Sequence, residues 1–215
     1  MSNEIELLIY GASGHAKVVL DAAEKQGIYK ILGFLDDDAD TQETSFCDYP
    51  VLGGFEFLQN KATKDTKIIL GIGSNKVRAI LHSKLTEAGF EFAIVIHPSA
   101  VIGRGVQFGV GTVVMGGVVV NPDSHIGKHV ILNTGSTLDH DNVIGDFVHI
   151  SPGAHLAGSV SVGKSTHLGV GSSVIQGIQI GEESIIGGGA AVVSDLPDRV
   201  TAVGVPAKVI KQHES

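Results

Sequence analysis

The segment Thr137-Leu138-Asp139-His140-Asp141-Asn142 sets one imidazole between two carboxylates, inside a long run of small and aliphatic residues. An imidazole titrates near neutrality, and flanking carboxylates can orient the ring and stabilise the imidazolium formed when it takes a proton from a nucleophile. A solvated loop histidine fits the same residue types, and the pattern alone leaves both readings open. A second candidate is the turn "GASGHA" (Gly11 to Ala16), which follows an apolar run and opens a helical pattern. Amides at such a turn favour phosphate. Ser13 and Ala16 stand where a dinucleotide fingerprint has its second and third glycines, so a nicotinamide cofactor is not indicated. Three acids, Asp36 to Asp38, close a later apolar run and read on composition alone as a polar strand end. Cys47 is the sole cysteine, which excludes a disulfide framework and a multi-thiolate zinc site. With no histidine beside it in "TSFCDYP", it is a poor acyl-accepting nucleophile.

Two kinds of element must position these groups. In residues 1–95, the apolar runs "IELLIY", "KILGFLDDD", "TKIILGIGSN" and "FEFAIVI" alternate with the helical patterns after Gly14 and in "KVRAILHSKLTEAG". Strands alternating with helices predict a small Rossmann-like α/β domain with a mainly parallel sheet.

From 96 to 215 the period changes. Every sixth residue from Ile96 to Val192 is aliphatic or Phe, and small or β-branched residues such as Thr112, Ser124, Ser136, Ala154 and Ser172 sit four places on. A six-residue period is one short strand plus a turn, and three units make a triangular 18-residue coil. About five to six coils would stack at ~4.8 Å spacing as a parallel β-helix. Residues 18 apart then share a position on successive coils. His140 pairs with Gly158, His149 with His167, and Val170 with Gly188. The His149–His167 pair supplies two nitrogens where a catalytic zinc needs three ligands, so no metal is expected. Flat faces on such a stack suit side-by-side self-association, with a trimer of prisms as the expected outcome.

Composition narrows the function further. With 43% hydrophobic residues the chain can bury a substantial core, and its 29 glycines suit a turn-rich fold. A formal charge of −8 argues against a general nucleic-acid binder. The apolar run near the N-terminus is too short for a signal peptide or a membrane span, so a cytoplasmic location is expected.

Together, "IYGASGHAKVV", "FLDDD", "GIGSNKVR", "IHPSAVI", "ILNTGSTLDHDNVIGDFVHISPGAHLAG" and "GGGAAVVSDLP…GVPAKVIK" resemble the hexapeptide-repeat sugar acetyltransferases. The branch resembled is that of nucleotide-4-amino-sugar N-acetyltransferases of the bacillosamine and perosamine type, with the related sialic-acid O-acetyltransferases. The resemblance implies a left-handed β-helix, a homotrimer with active sites between subunits, and acetyl-CoA lying between adjacent prisms. It implies acetyl transfer to the C4 amine of a nucleotide-linked 4-amino-4,6-dideoxy sugar for surface-glycan precursors, with O-acetylation of a sialic-acid-like sugar as the alternative. A non-catalytic sugar-binding or scaffolding prism is the alternative of a different class. His140 becomes the expected general base with an adjacent carboxylate at Asp141, an Asp where relatives can have Glu, while Asp139 competes for that role. Gly158 is the candidate oxyanion donor. His149, Val170 and Gly188 are expected acetyl-CoA contacts, and Lys164, Lys208 and Lys211 are candidate partners for its phosphates. Ser13, Gly14 and His15 are expected near the sugar diphosphate, with Asp36, Asp37 and Gly73 completing the pocket.

Overall fold

The computed structural model describes residues 5–63 and 65–214 and divides into two compact units after Pro98. In the first unit, β1 (Ile5–Tyr10), α1 (Gly14–Gln26), β2 (Tyr29–Leu35), β3 (Ser45–Phe46), β4 (Tyr49–Pro50), α2 (Phe55–Lys61), β5 (Lys67–Leu70) and α3 (Asn75–Glu87) follow in order. The parallel sheet has the order β2-β1-β5. Leu7 to Tyr10 on the central strand are all buried, which is why β1 reads as a continuous apolar run without alternation. Helix α1 buries Ala16, Val19, Leu20, Ala22 and Ala23, one face at helical spacing, and stops at Gly27 in the left-handed region. This topology brings the loops after the three strands, Gly11 to Ser13, Asp36 to Asp38 and Gly71 to Ser74, to the same end of the sheet.

Two expectations change here. The "FEFAIVI" run is not a continuous strand: Phe92 makes a single parallel bridge to Ile68, and only Val95–Ile96 is extended beyond it. Phe90, Phe92, Ala93 and Val95 are nonetheless buried, so the run is apolar because it packs, not because it pairs. The irregular segment around Cys47 is a β-hairpin, β3 against β4, turned by Cys47 (φ 49°) and Asp48 (φ 64°). Two successive positive φ values define the tight hairpin turn usually signalled by Asn-Gly, which is absent here.

The second unit is a parallel β-solenoid of two-residue strands, one every six residues. One face stacks Val101–Ile102, Val119–Val120, Thr137–Leu138, His155–Leu156, Ser173–Val174 and Ala191–Val192. The second carries Gln107–Phe108 through Gln179–Ile180, and the third carries Val113–Val114 through Ile185–Ile186 before continuing into Val200–Val203 and the antiparallel Lys208–Gln212. Partners are 18 residues apart, as in Thr137 with His155 and His149 with His167. The second residue of each pair points inward, and from Val114 to Val192 these side chains are buried. Ile102, on the end coil, remains 36% exposed because a terminal coil has a neighbour in the stack on one side only. Thr112, Ser124, Ser136, Ala154 and Ser172 fill the corners from inside and are fully buried.

Candidate active site

His140 lies on the corner joining the first face to the second, beside Asp141 in the left-handed region (φ 59°). Its Nδ1 is 2.7 Å from Asp141 Oδ2. A carboxylate can only accept, so the ring proton sits on Nδ1 and Nε2 carries the lone pair. That hydrogen bond, with smaller contributions from the charges of Asp139 and Asp141, holds the imidazole above its ordinary range. Asp139 does different work: its Oδ1 accepts from Asn121 Nδ2 (2.8 Å) and from the His140 backbone N–H (2.9 Å), which push its carboxyl below the usual range. Of the two acids, Asp141 orients the ring and Asp139 braces the turn that carries it.

Gly158 lies one coil on, and the ring packs against it. A Cβ added there would stand 2.6 Å from His140 Cε1 and Nε2. The Gly158 carbonyl accepts from Gly177 and the Ser159 N–H donates to the His140 carbonyl, while among the described residues the Gly158 N–H has no acceptor. A lone-pair nitrogen on an exposed imidazole and an amide N–H on the buried glycine beneath it therefore meet at one corner, the two kinds of group that acyl transfer uses.

The other expected residues of this unit lie elsewhere on the prism. His149 and His167 stack on the third face with ring centroids 4.7 Å apart. Asn133 donates to His149 Nε2 (3.1 Å), its amide orientation fixed because its Oδ1 accepts from the Thr134 N–H, so His149 carries its proton on Nδ1. Val170 and Gly188 occupy the corner between the third and first faces, a face width away from His140, roughly 15 Å for four to five extended residues. Lys164 sits near the Phe147 ring (5.9 Å) and lines a cavity of about 720 Å³ together with Glu182, Asp195 and Asp198. Lys208 and Lys211 are exposed on the final strand. Among the described residues no three His, Cys, Asp or Glu side chains converge to hold a metal ion, and no helix is long and apolar enough to cross a membrane.

In the first unit, α1 begins without a side-chain cap and without an acid in its first turn, with the exposed Ser13 as its cap residue. Its leading amides are thus available to an anion. Gly14 and Gly73 have open space where a side chain would be, whereas a Cβ at Gly11 would meet Ile72 at 2.8 Å. Asp36 is occupied internally, accepting from the Ala12 and Asp38 N–H groups. Asp37 Oδ1 accepts from Tyr10 Oη (2.8 Å) and the Phe55 N–H (3.0 Å). Two residues missed in the sequence also shape this end of the sheet. Tyr10 is one. The other is Arg78, fully buried, which donates to the carbonyls of Ile72 and Gly73 and to Asn75 Oδ1. Burial pushes the Arg78 guanidinium down to about 9, and burial beside that charge pushes His15 down to about 4.

Residues 6–85 match the PglD N-terminal domain family. A His-to-Asn mutant of perosamine N-acetyltransferase from Caulobacter crescentus, in complex with CoA and GDP-perosamine, superposes with a TM-score of 0.90 at 40% identity over 96% of this chain and 97% of that one. The chain belongs to the bacillosamine/perosamine-type N-acetyltransferase family. Another member, the acetyltransferase domain of PglB from Neisseria gonorrhoeae FA1090, gives a TM-score of 0.90 at 36% identity, covering 96% of this chain and all of that one. UDP-N-acetylbacillosamine N-acetyltransferase of Bacillus subtilis (strain 168) is 38% identical over 116 residues, a match spanning half of this chain and half of that protein.

Proposed function

We propose that the protein transfers the acetyl group of acetyl-CoA to the C4 amine of a nucleotide-linked 4-amino-4,6-dideoxy sugar, by direct attack with His140 as general base. The observation that carries this reading is the His140 ring, fixed by Asp141 and lying on Gly158 with its Nε2 unprotonated. Family membership supplies the substrate class, since relatives are seen with CoA, acetyl-CoA and GDP-perosamine. The amine nitrogen attacks the thioester carbon and its proton passes to His140 Nε2. The oxygen that becomes negative is held by the Gly158 N–H. The C–S bond then breaks and His140 returns the proton to the departing thiolate.

The separation of groups within one chain supports a shared site. His140 and Gly158 stand on one corner, Val170 and Gly188 on another, and His149 on a face, so one acetyl-CoA could touch all of them only between side-by-side copies. A homotrimer satisfies this with closed symmetry. His149, on its face, and the backbone of Val170 and Gly188 then border the thioester arm, with Lys208 and Lys211 near its phosphates and Lys164 a further candidate. Phosphate recognition for the sugar nucleotide falls to Ser13, Gly14 and His15 at the uncapped start of α1, with Asp37 and Gly73 beside it and Asp36 holding the turn in shape.

Thiol release from acetyl-CoA tests the reading against GDP-perosamine, a UDP-linked 4-amino sugar, dTDP-4-amino-4,6-dideoxyglucose and a sialic acid. Release with one of the amino sugars is expected. Release with the hydroxyl acceptor alone, or with none, overturns it.

A further inference from the structure

Asn142 occupies an inward corner slot four residues after Leu138, where the equivalent residues are Ser124 on the coil before and Val160 and Ile178 on the coils after. Those neighbours are buried and small or apolar, and Asn142 is itself fully buried. A buried amide costs about 1–3 kcal/mol wherever its polar atoms are left unpaired, and Asn142 Oδ1 has no partner among the described residues. Packing alone would be better served by valine, as at 160. The amide nitrogen accounts for the choice. It donates to the Asp139 carbonyl (2.6 Å) and the Ala157 carbonyl (3.1 Å), and lies 3.5 Å from the His140 carbonyl. Three surrounding carbonyls fix the amide's orientation, since the flipped form would set oxygen against oxygen.

Each of the two main acceptors belongs to a peptide plane that carries chemistry. The Ala157 carbonyl shares its plane with the Gly158 N–H, and the Asp139 carbonyl shares its plane with the His140 N–H. A trans peptide is rigid and its N–H points opposite its C=O. Holding the Ala157 oxygen inward therefore aims the Gly158 N–H outward, and the same bond polarises that N–H into a stronger donor. We propose that Asn142 is a positioning residue that locks the base-bearing turn and the oxyanion-donating turn into one rigid unit, by tying the peptides before His140 and before Gly158 to a single amide. This rests on the roles given above to His140 and Gly158. Ser124 assists from the coil before, its hydroxyl donating to the Asp139 carbonyl (3.1 Å) and accepting from the Asn142 N–H (3.2 Å).

The test compares Asn142→Val, Asn142→Ser and His140→Ala in full-length protein, with acetyl-CoA and whichever amino-sugar nucleotide of the panel turns over fastest. Asn142→Val is expected to fold and to melt close to the parent protein, because the buried unpaired oxygen it removes offsets the donor that the Asp139 and Ala157 carbonyls lose. Its kcat should nevertheless fall about tenfold or more, with KM for both substrates within about twofold, since misaiming a donor costs part of the ~100-fold or more lost when one is removed. The acid limb of its kcat profile should stay in place, because the His140–Asp141 pair is untouched. Asn142→Ser, keeping one donor of the type found at 124, should fall between and serves if the valine variant folds poorly. If His140→Ala is inactive while both Asn142 variants turn over like the parent, the inference is overturned and the catalytic reading stands. Should His140→Ala itself turn over normally, both fail.

Discussion

An imidazole acts as a base only while neutral, so in the proposed mechanism whatever strengthens the hold of His140 on a proton also sets the pH below which turnover stops. Its hydrogen bond to Asp141 raises that affinity. The acid limb of the kcat profile should therefore lie above the ordinary histidine range, and Asp141→Asn should move it toward lower pH while lowering the plateau about tenfold or more. A limb that stays put in this variant would assign the titration to another group. His140→Ala should cut kcat by about 100-fold or more with acetyl-CoA affinity, measured by calorimetry, nearly unchanged. At Gly158 the backbone is outside the positive-φ region, so alanine fits the chain and fails only against the ring. Gly158→Ala should thus fold normally, by thermal melt, and lose about 100-fold in turnover. The sequence revealed this corner because the 18-residue relation pairs His140 with Gly158. It left Asp139 and Asp141 undivided, since the period gives a residue's place on the coil but not the direction of its side chain. Asn121 was legible in principle, standing one coil before Asp139.

At the scale of elements, the loops after β1, β2 and β5 in the first unit are held by polar groups that a hydrophobic pattern does not report. Arg78 lies in a helical pattern and Tyr10 ends an apolar run, positions that carry no polar signal of their own, yet one clamps the Ile72 and Gly73 carbonyls and the other braces Asp37. The hairpin at Cys47 was hidden for a related reason: its turn residues lack glycine, although both adopt positive φ. His15 gives this unit a pH dependence. Its folded value, about 4, lies below the 6.5 of an exposed imidazole, so the unfolded chain takes up the additional proton. The stabilising contribution is whole above pH 6.5 and is lost as pH falls toward 4, by at most about 3 kcal/mol. Urea unfolding at about pH 7.5 and about pH 5 should show the loss, and His15→Gln should flatten the difference. An unchanged slope in that variant would place the titration elsewhere.

For the whole molecule, the solenoid was the most legible feature, because seventeen inward positions in one phase admit no other short-strand fold. The proposed sharing of a site between copies makes a separate prediction. His140→Ala and Gly188→Val, each inactive alone, should regain activity when co-expressed, because a mixed trimer places an intact His140 corner against an intact Gly188 corner. No recovery in mixed species verified by mass would assign every catalytic contact to a single chain. The in-register stacking at 18-residue intervals has one last consequence, for how such a chain can change length. Its corners behave like a reading frame: one inserted residue between Asp141 and Ala157 shifts everything downstream off its face and parts Gly158 from the base, and six inserted residues carry it to a different corner. Only whole coils can be gained or lost without moving the site, so natural length variation in this unit should come in steps of eighteen or be confined to loops looped out at the corners.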